Sequence, residues 1–173
     1  FGVDIAMVLD ECTSFPVKKA KAKESMLLSM RWAQRCRNSF SSDTSGLFGI
    51  VQGGMFEDLR EESLEKLIDI SFEGYAIGGL SVGESREEML KVVDFIASRM
   101  PKESPRYLMG VGTPLDILNS VQKGIDMFDC VIPTRHARNG YLYTSEGVVK
   151  LRNSKNRDFM EPLDTNCDCY TCT

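Results

Sequence analysis

The run Leu47-Phe48-Gly49-Ile50-Val51-Gln52-Gly53-Gly54 is followed by a helical interval over residues 57–71, then by Gly74-Tyr75-Ala76-Ile77-Gly78-Gly79-Leu80. Each outer run is short, apolar and closed by glycine, the pattern of a strand covered on both faces. The interval carries Leu59, Leu64, Leu67, Ile68 and Ile70 among charged residues, which predicts a helix with one apolar side. Strand, helix, strand is the unit of a parallel sheet. Working outward, residues 4–9, 106–109 and 127–132 read as three further strands. Residues 18–37, 86–99 and 114–123 read as helices, the last capped by Thr113 with Pro114 in its first turn. The class is α/β.

The strand ends carry the chemistry. The first run leads into Asp10-Glu11-Cys12, the second into Gln52-Gly53-Gly54, the third into Gly78-Gly79-Leu80 and the fourth into Gly110-Val111-Gly112, while the fifth contains Asp129. Ligands of parallel α/β proteins bind outside the carboxyl ends of strands, and glycine there lets backbone come close to a ligand. Any one of these glycines is equally read as a simple chain reversal; five such ends in succession point to a site.

Composition narrows the classes. The chain has 173 residues, room for one domain, and a net charge of −4, which argues against a broadly basic nucleic-acid binder but leaves room for a local patch. Cations gather late, at Arg135, Arg138, Lys150, Arg152, Lys155 and Arg157, a run that also fits a solvated face. No apolar run approaches the roughly 18 residues of a membrane span. Cys12, Cys36 and Cys130 are scattered, as expected of reduced thiols in a cytoplasmic protein. The start at Phe1 gives the expectation of a piece cut from a longer protein.

After the fifth run the rhythm changes. Asn139-Gly140, then Tyr141–Thr144, Ser145-Glu146-Gly147 and residues 148–151 read as an antiparallel hairpin. Beyond residues 153–164 come Cys167-Asp168-Cys169-Tyr170-Thr171-Cys172. Three thiolates so spaced can converge on one soft cation, and zinc takes four ligands. The fourth is expected from sequence outside this chain, with His136 read as a loop residue and only a remote alternative.

Taken together the segments resemble one family, the tRNA-guanine transglycosylases, also called queuine tRNA-ribosyltransferases, in their bacterial form. The carriers are Val8-Leu9-Asp10-Glu11-Cys12-Thr13, Gly49-Ile50-Val51-Gln52-Gly53-Gly54, Ile77-Gly78-Gly79-Leu80-Ser81-Val82-Gly83-Glu84, Tyr107-Leu108-Met109-Gly110-Val111-Gly112, the block from Gly124 to Gly140, and the closing cysteines. The resemblance implies a partial (β/α)8 TIM barrel, about strands 4 to 8, with a zinc-binding insertion near the C-terminus. Residues 1–137 would be barrel, and residues 138–173 the hairpin and an incomplete zinc subdomain.

The resemblance also implies a reaction: exchange of guanine at the tRNA wobble position for a 7-deazaguanine through a covalent aspartyl-ribosyl intermediate. By it Asp129 is the nucleophile, with Asp126 as the other candidate. Asp10, Gln52, Gly79, Leu80 and Met109 bind the base, Arg135 and Arg138 bind tRNA, and Cys167, Cys169 and Cys172 hold a structural zinc. Val82 and Cys12 favour the small base preQ1. The family's general acid would lie upstream of Phe1, which puts the activity of this stretch alone in question. A homodimer is expected, and five strands of eight leave two open edges that must pair with something. Two other readings are a non-catalytic RNA-binding partner subunit of the same fold, which need not keep Asp129, Asp10 and Gln52, and an unrelated zinc-ribbon module, which would need a second cysteine pair.

Overall fold

Five parallel strands carry the first part of the chain in a computed structural model that describes residues 2–170 and 172. They are β1 (Ile5–Met7), β2 (Gly46–Val51), β3 (Gly74–Ile77), β4 (Arg106–Leu108) and β5 (Met127–Phe128), alternating with helices α1 (Lys19–Ser39), α2 (Glu57–Ile70), α3 (Arg86–Ala97) and α4 (Pro114–Val121). Phe1 and Thr171, which enter the expectations above, lie outside the described residues. The chain divides into two compact units between Cys130 and Val131.

Within the first unit the strands pair in sequence order, β1-β2-β3-β4-β5, all parallel. A doubly wound sheet reverses its order at a switch point and so takes helices on both faces. Here every crossover steps the same way, so right-handed connections put all the helices on one side. The sheet curls into half a (β/α) barrel, with successive helices packed side by side along its outer surface.

The strand pleat shows how the layers fill. A Cβ on Gly49 would stand 2.9 Å from Phe72 and 3.1 Å from Leu67, so Gly49 faces the helices and its neighbours Phe48 and Ile50 face the inner side. Gly74, in register with Phe48, faces the same way. A Cβ there would meet the Phe48 ring at 2.3 Å, so this glycine makes the space the ring occupies. The core between sheet and helices is almost wholly dry: Met26 and Ala33 of α1, Leu67 of α2, Val93 and Ile96 of α3, with Val51, Ile77 and Leu108 of the strands.

Local signals set the helix starts. Ser85 and Glu88 cap α3 reciprocally, the Glu88 N–H donating to Ser85 Oγ and the Ser85 N–H to Glu88 Oε2. Thr113 caps α4 as expected, its Oγ1 accepting from the Asp116 N–H at 3.2 Å.

Two expectations are corrected. The strand read over residues 127–132 ends at Phe128, and a helix, α5 (Ile132–Asn139), follows. Pro133 has no N–H for a strand ladder and suits a first helical turn, while Gly140, left-handed at φ 69°, stops the helix. His136 therefore lies in the last turn of α5 rather than in a loop, its ring 5.2 Å from that of Tyr141 and 5.5 Å from that of Tyr143.

The second unit holds α5, the hairpin β6 (Tyr141–Thr144) and β7 (Gly147–Lys150), a short 3-10 turn at Ser154–Asn156, and the cysteines. The hairpin is antiparallel, pairing Tyr141 with Lys150 and Thr144 with Gly147. Asp164 ties its turn to the cysteine loop, accepting from the Ser145 N–H at 2.6 Å, Ser145 Oγ at 2.9 Å and the Asn166 N–H at 2.9 Å. These donors, the Ser145 N–H foremost, hold the Asp164 carboxyl below its ordinary pKa.

Candidate active site

Asp10, Gln52, Gly79, Met109 and Asp129 each follow the carboxyl end of a different strand, so all five stand at one end of the half-barrel. Asp10 and Gln52 meet: Gln52 Nε2 donates to Asp10 Oδ2 at 2.6 Å. Gln52 is buried, and its own N–H donates to Ser63 Oγ on α2, which fixes where the side chain starts. Nε2 has a second hydrogen to offer beyond Asp10.

Gly78 and Gly79 form the floor beside this pair. A Cβ on Gly78 would stand 2.8 Å from Gln52 Nε2 and 3.5 Å from Asp10 Oδ2; one on Gly79, which is left-handed at φ 65°, would stand 2.4 Å from Gln52 Oε1. Any side chain here would displace the amide, so glycine is needed for packing and, at Gly79, for conformation. Leu80 is buried. Ser81 and Val82 turn over Glu84, whose carboxylate accepts both their N–H groups. Cys12 lies on the β1 side; desolvation, then the Asp10 carboxylate, push its thiol pKa up, so it is a neutral thiol at physiological pH.

At the β4–β5 side Asp129 is exposed and held by one oxygen. Its Oδ1 accepts from Tyr107 Oη at 2.6 Å and from the Gly110 N–H at 2.8 Å. Oδ2 has no hydrogen bond among the described residues. Desolvation and the Asp129 carboxylate raise the Tyr107 pKa to about 12, so the phenol stays a donor. The next residue, Cys130, tucks its Sγ against Gly112, where a Cβ would leave only 2.1 Å. Met109 is half-buried, its N–H donating to the Ile77 carbonyl at 3.2 Å. Asp126 stands before β5, at the opposite end of the sheet, and its Oδ2 accepts from the Arg106 N–H at 2.9 Å.

Two residues of this region were not singled out in the sequence. Tyr107 is hidden inside an apolar strand run. Arg60 has no solvent exposure, and burial pulls its pKa down to about 10, which leaves it a cation at neutral pH. The only signal for it is spacing: Arg60 falls on the apolar side of α2 with Leu64 and Leu67.

In the second unit Arg135 and Arg138 are exposed on α5, three residues apart and so on one face. The Sγ atoms of Cys167, Cys169 and Cys172 all lie within 4.8 Å of one another, close enough to hold one metal ion. Thiolate sulfurs suit a soft or borderline cation. Among the described residues no His, Asp or Glu joins them at that distance. No helix among the described residues is long and apolar enough to cross a membrane.

The sequence of a family described as queuine tRNA-ribosyltransferase matches residues 1–173. The chain is 60% identical over 171 residues to the queuine tRNA-ribosyltransferase of Francisella tularensis subsp. novicida (strain U112), which covers 99% of this chain and 47% of that protein. The protein of that name from Hydrogenovibrio crunogenus (strain DSM 25203 / XCL-2) is likewise 60% identical over 171 residues, 99% of this chain and 46% of its own length. The chain thus spans about half the length of the curated relatives it matches.

Proposed function

The chain belongs to the queuine tRNA-ribosyltransferase family, and from that membership we propose that it carries the nucleophile and base-reading groups of a tRNA-guanine transglycosylase. The enzyme would exchange guanine at the wobble position of tRNA for preQ1. The observation that carries this reading is the carboxylate of Asp129, anchored through Oδ1 by Tyr107 and Gly110 at the same sheet end as the Asp10–Gln52 pair.

In this mechanism Asp129 Oδ2 attacks C1′ of the ribose. The C1′–N9 bond breaks, guanine departs with the electron pair, and an aspartyl-ribosyl ester remains. The incoming base then attacks C1′ through N9, gives up its N9 proton to solvent, and releases Asp129 as a carboxylate. Two donors on Oδ1 fix the orientation of the attacking oxygen. The proton taken up by the departing guanine is assigned to no residue described here. Asp10 accepts from the ring N–H and exocyclic amine of the base. The Gln52 amide and the Gly79 N–H serve its carbonyl, while Leu80 and Met109 line the pocket. Bases without that donor and acceptor pattern leave buried groups unpaired and are rejected. Val82 and Cys12 would set the room for the small preQ1 substituent.

Arg135 and Arg138 would contact tRNA phosphates, since guanidinium matches phosphate oxygens two at a time. Cys167, Cys169 and Cys172 fit a structural zinc, whose fourth ligand would come from beyond these residues; the ion would cross-link the last loop. A cytoplasmic homodimer completes the reading. Its test is trapping. Intact protein incubated with tRNA and a 7-deazaguanine should give a denaturation-resistant protein–RNA adduct. Asp129→Asn should abolish the adduct and Asp126→Asn should keep it; an adduct surviving in Asp129→Asn removes the nucleophile from position 129.

A further inference from the structure

Arg60 is a wholly buried cation whose hydrogen-bond partners are all main-chain carbonyls. Its Nε donates to Gly54 O at 2.8 Å, Nη1 to Val51 O at 3.1 Å and Gly78 O at 2.8 Å, and Nη2 to Gly79 O at 3.4 Å. No carboxylate pairs with it among the described residues. Burying a guanidinium without a counterion is expensive, and an apolar residue would close the α2–sheet contact as well. Helix α2 packs close to this turn: a Cβ on Gly53 would stand 2.8 Å from the Arg60 main-chain nitrogen.

The carbonyls it holds matter because of what lies across each peptide bond. A trans peptide sets the C=O of one residue antiparallel to the N–H of the next. A Gly78 carbonyl drawn to Arg60 turns the Gly79 N–H away from it, and a Gly79 carbonyl drawn the same way turns the Leu80 N–H away. The Gly78 N–H still donates to Val51 O at 3.1 Å, but those of Gly79 and Leu80 have no acceptor among the described residues, although Leu80 is 5% exposed. Two successive unpaired N–H groups in a buried turn are a receptor for an acceptor atom.

We propose that Arg60 is a positioning residue for base recognition: by gripping the Gly78 and Gly79 carbonyls it aims the Gly79 and Leu80 N–H groups at the carbonyl oxygen of the purine. This rests on the functional reading above. It adds that selectivity for a 6-oxopurine is set from beneath the pocket by a residue that never touches the ligand. Lysine could keep the charge but not the fork that reaches four carbonyls at once.

The test is calorimetric binding of guanine and of 2-aminopurine, which lacks the 6-oxygen and the N1 hydrogen but keeps the exocyclic amine, to the intact protein and to Arg60→Lys. Guanine should bind the variant about tenfold more weakly, the scale of one lost hydrogen bond, with 2-aminopurine changed less than about twofold. Equal weakening of both ligands would reduce Arg60 to a structural role and overturn the inference. Should the variant fail to fold, the wild-type protein still decides. The Gly79 and Leu80 amide resonances should shift on adding guanine and stay in place with 2-aminopurine; amides that ignore guanine while it binds elsewhere overturn the inference alone. Failure of the wild-type protein to bind guanine at all overturns the functional reading, and this inference with it.

Discussion

Replacing Tyr107 with phenylalanine removes one oxygen and leaves the ring. That oxygen donates to Asp129 Oδ1 at 2.6 Å, a short bond to a charged acceptor, and the Gly110 N–H at 2.8 Å is the other anchor. Bonds to charged groups contribute about 1.5–3 kcal/mol. Asp129 is exposed, so water replaces part of the lost bond and the lower end applies. A carboxylate hinged on Gly110 alone can turn about its own axis, and about 1.5 kcal/mol of lost orientation means about a tenfold slower attack. The pH sign is set by the phenol. Its pKa is raised from 10.0 to about 12, so the bond is complete below pH 10 and is lost as pH climbs toward 12. Wild type and Tyr107→Phe should therefore show parallel rate profiles at neutral pH, offset by a constant factor. The assay is single-turnover formation of the protein–RNA adduct, followed across pH. An unchanged rate in Tyr107→Phe would refute orientation by Tyr107. A profile that gains a new limb below pH 10 would refute the assignment of the phenol as a neutral donor.

Gly74→Ala drives a methyl to within 2.3 Å of the Phe48 ring; urea unfolding should register a loss of about 1–3 kcal/mol. Adding Phe48→Leu should recover part of that loss, a double-mutant result that simple glycine backbone effects do not produce. The lowered pKa of Asp164 means its staple is present above the ordinary carboxylate pKa and lost as pH falls through the folded value. Amide exchange at Ser145 and Asn166 should thus quicken, beyond its intrinsic rate, on acidification, and Asp164→Asn should remove that dependence. Cys169→Ser should lower the zinc recovered per chain by elemental analysis, whereas Cys36→Ser, far from the cluster in sequence, should leave it unchanged.

The helices and first four strands were readable because apolar spacing recurred along the chain and, at Thr113 and Pro114, agreed with a cap. The end of the fifth strand was not. Residues 127–132 look uniformly apolar around Asp129, and the apolar run outweighed a legible pair of helix markers, Pro133 at the start and Gly140 at the end. The strand ends one residue before Asp129, the residue that matters most to the proposed chemistry. Strand-end polarity located Asp10, Gln52 and Asp129 at one end of the sheet. Tyr107 stayed hidden because its contact with Asp129 depends on the register of two strands, Tyr107 opposite Met127. Arg60 stayed hidden because a charge on an apolar helix side is usually read as a boundary of that side, and only the position of nearby carbonyls makes it an interior residue.

The partners of Arg60 have a genetic corollary. An ion pair broken on one side can be repaired by exchanging the other, but carbonyls belong to every amino acid alike. No change at positions 51, 54, 78 or 79 alters the acceptor that Arg60 addresses. Suppressors of a lesion at 60 should therefore be rare outside the codon itself, and a selection for restored activity should return arginine.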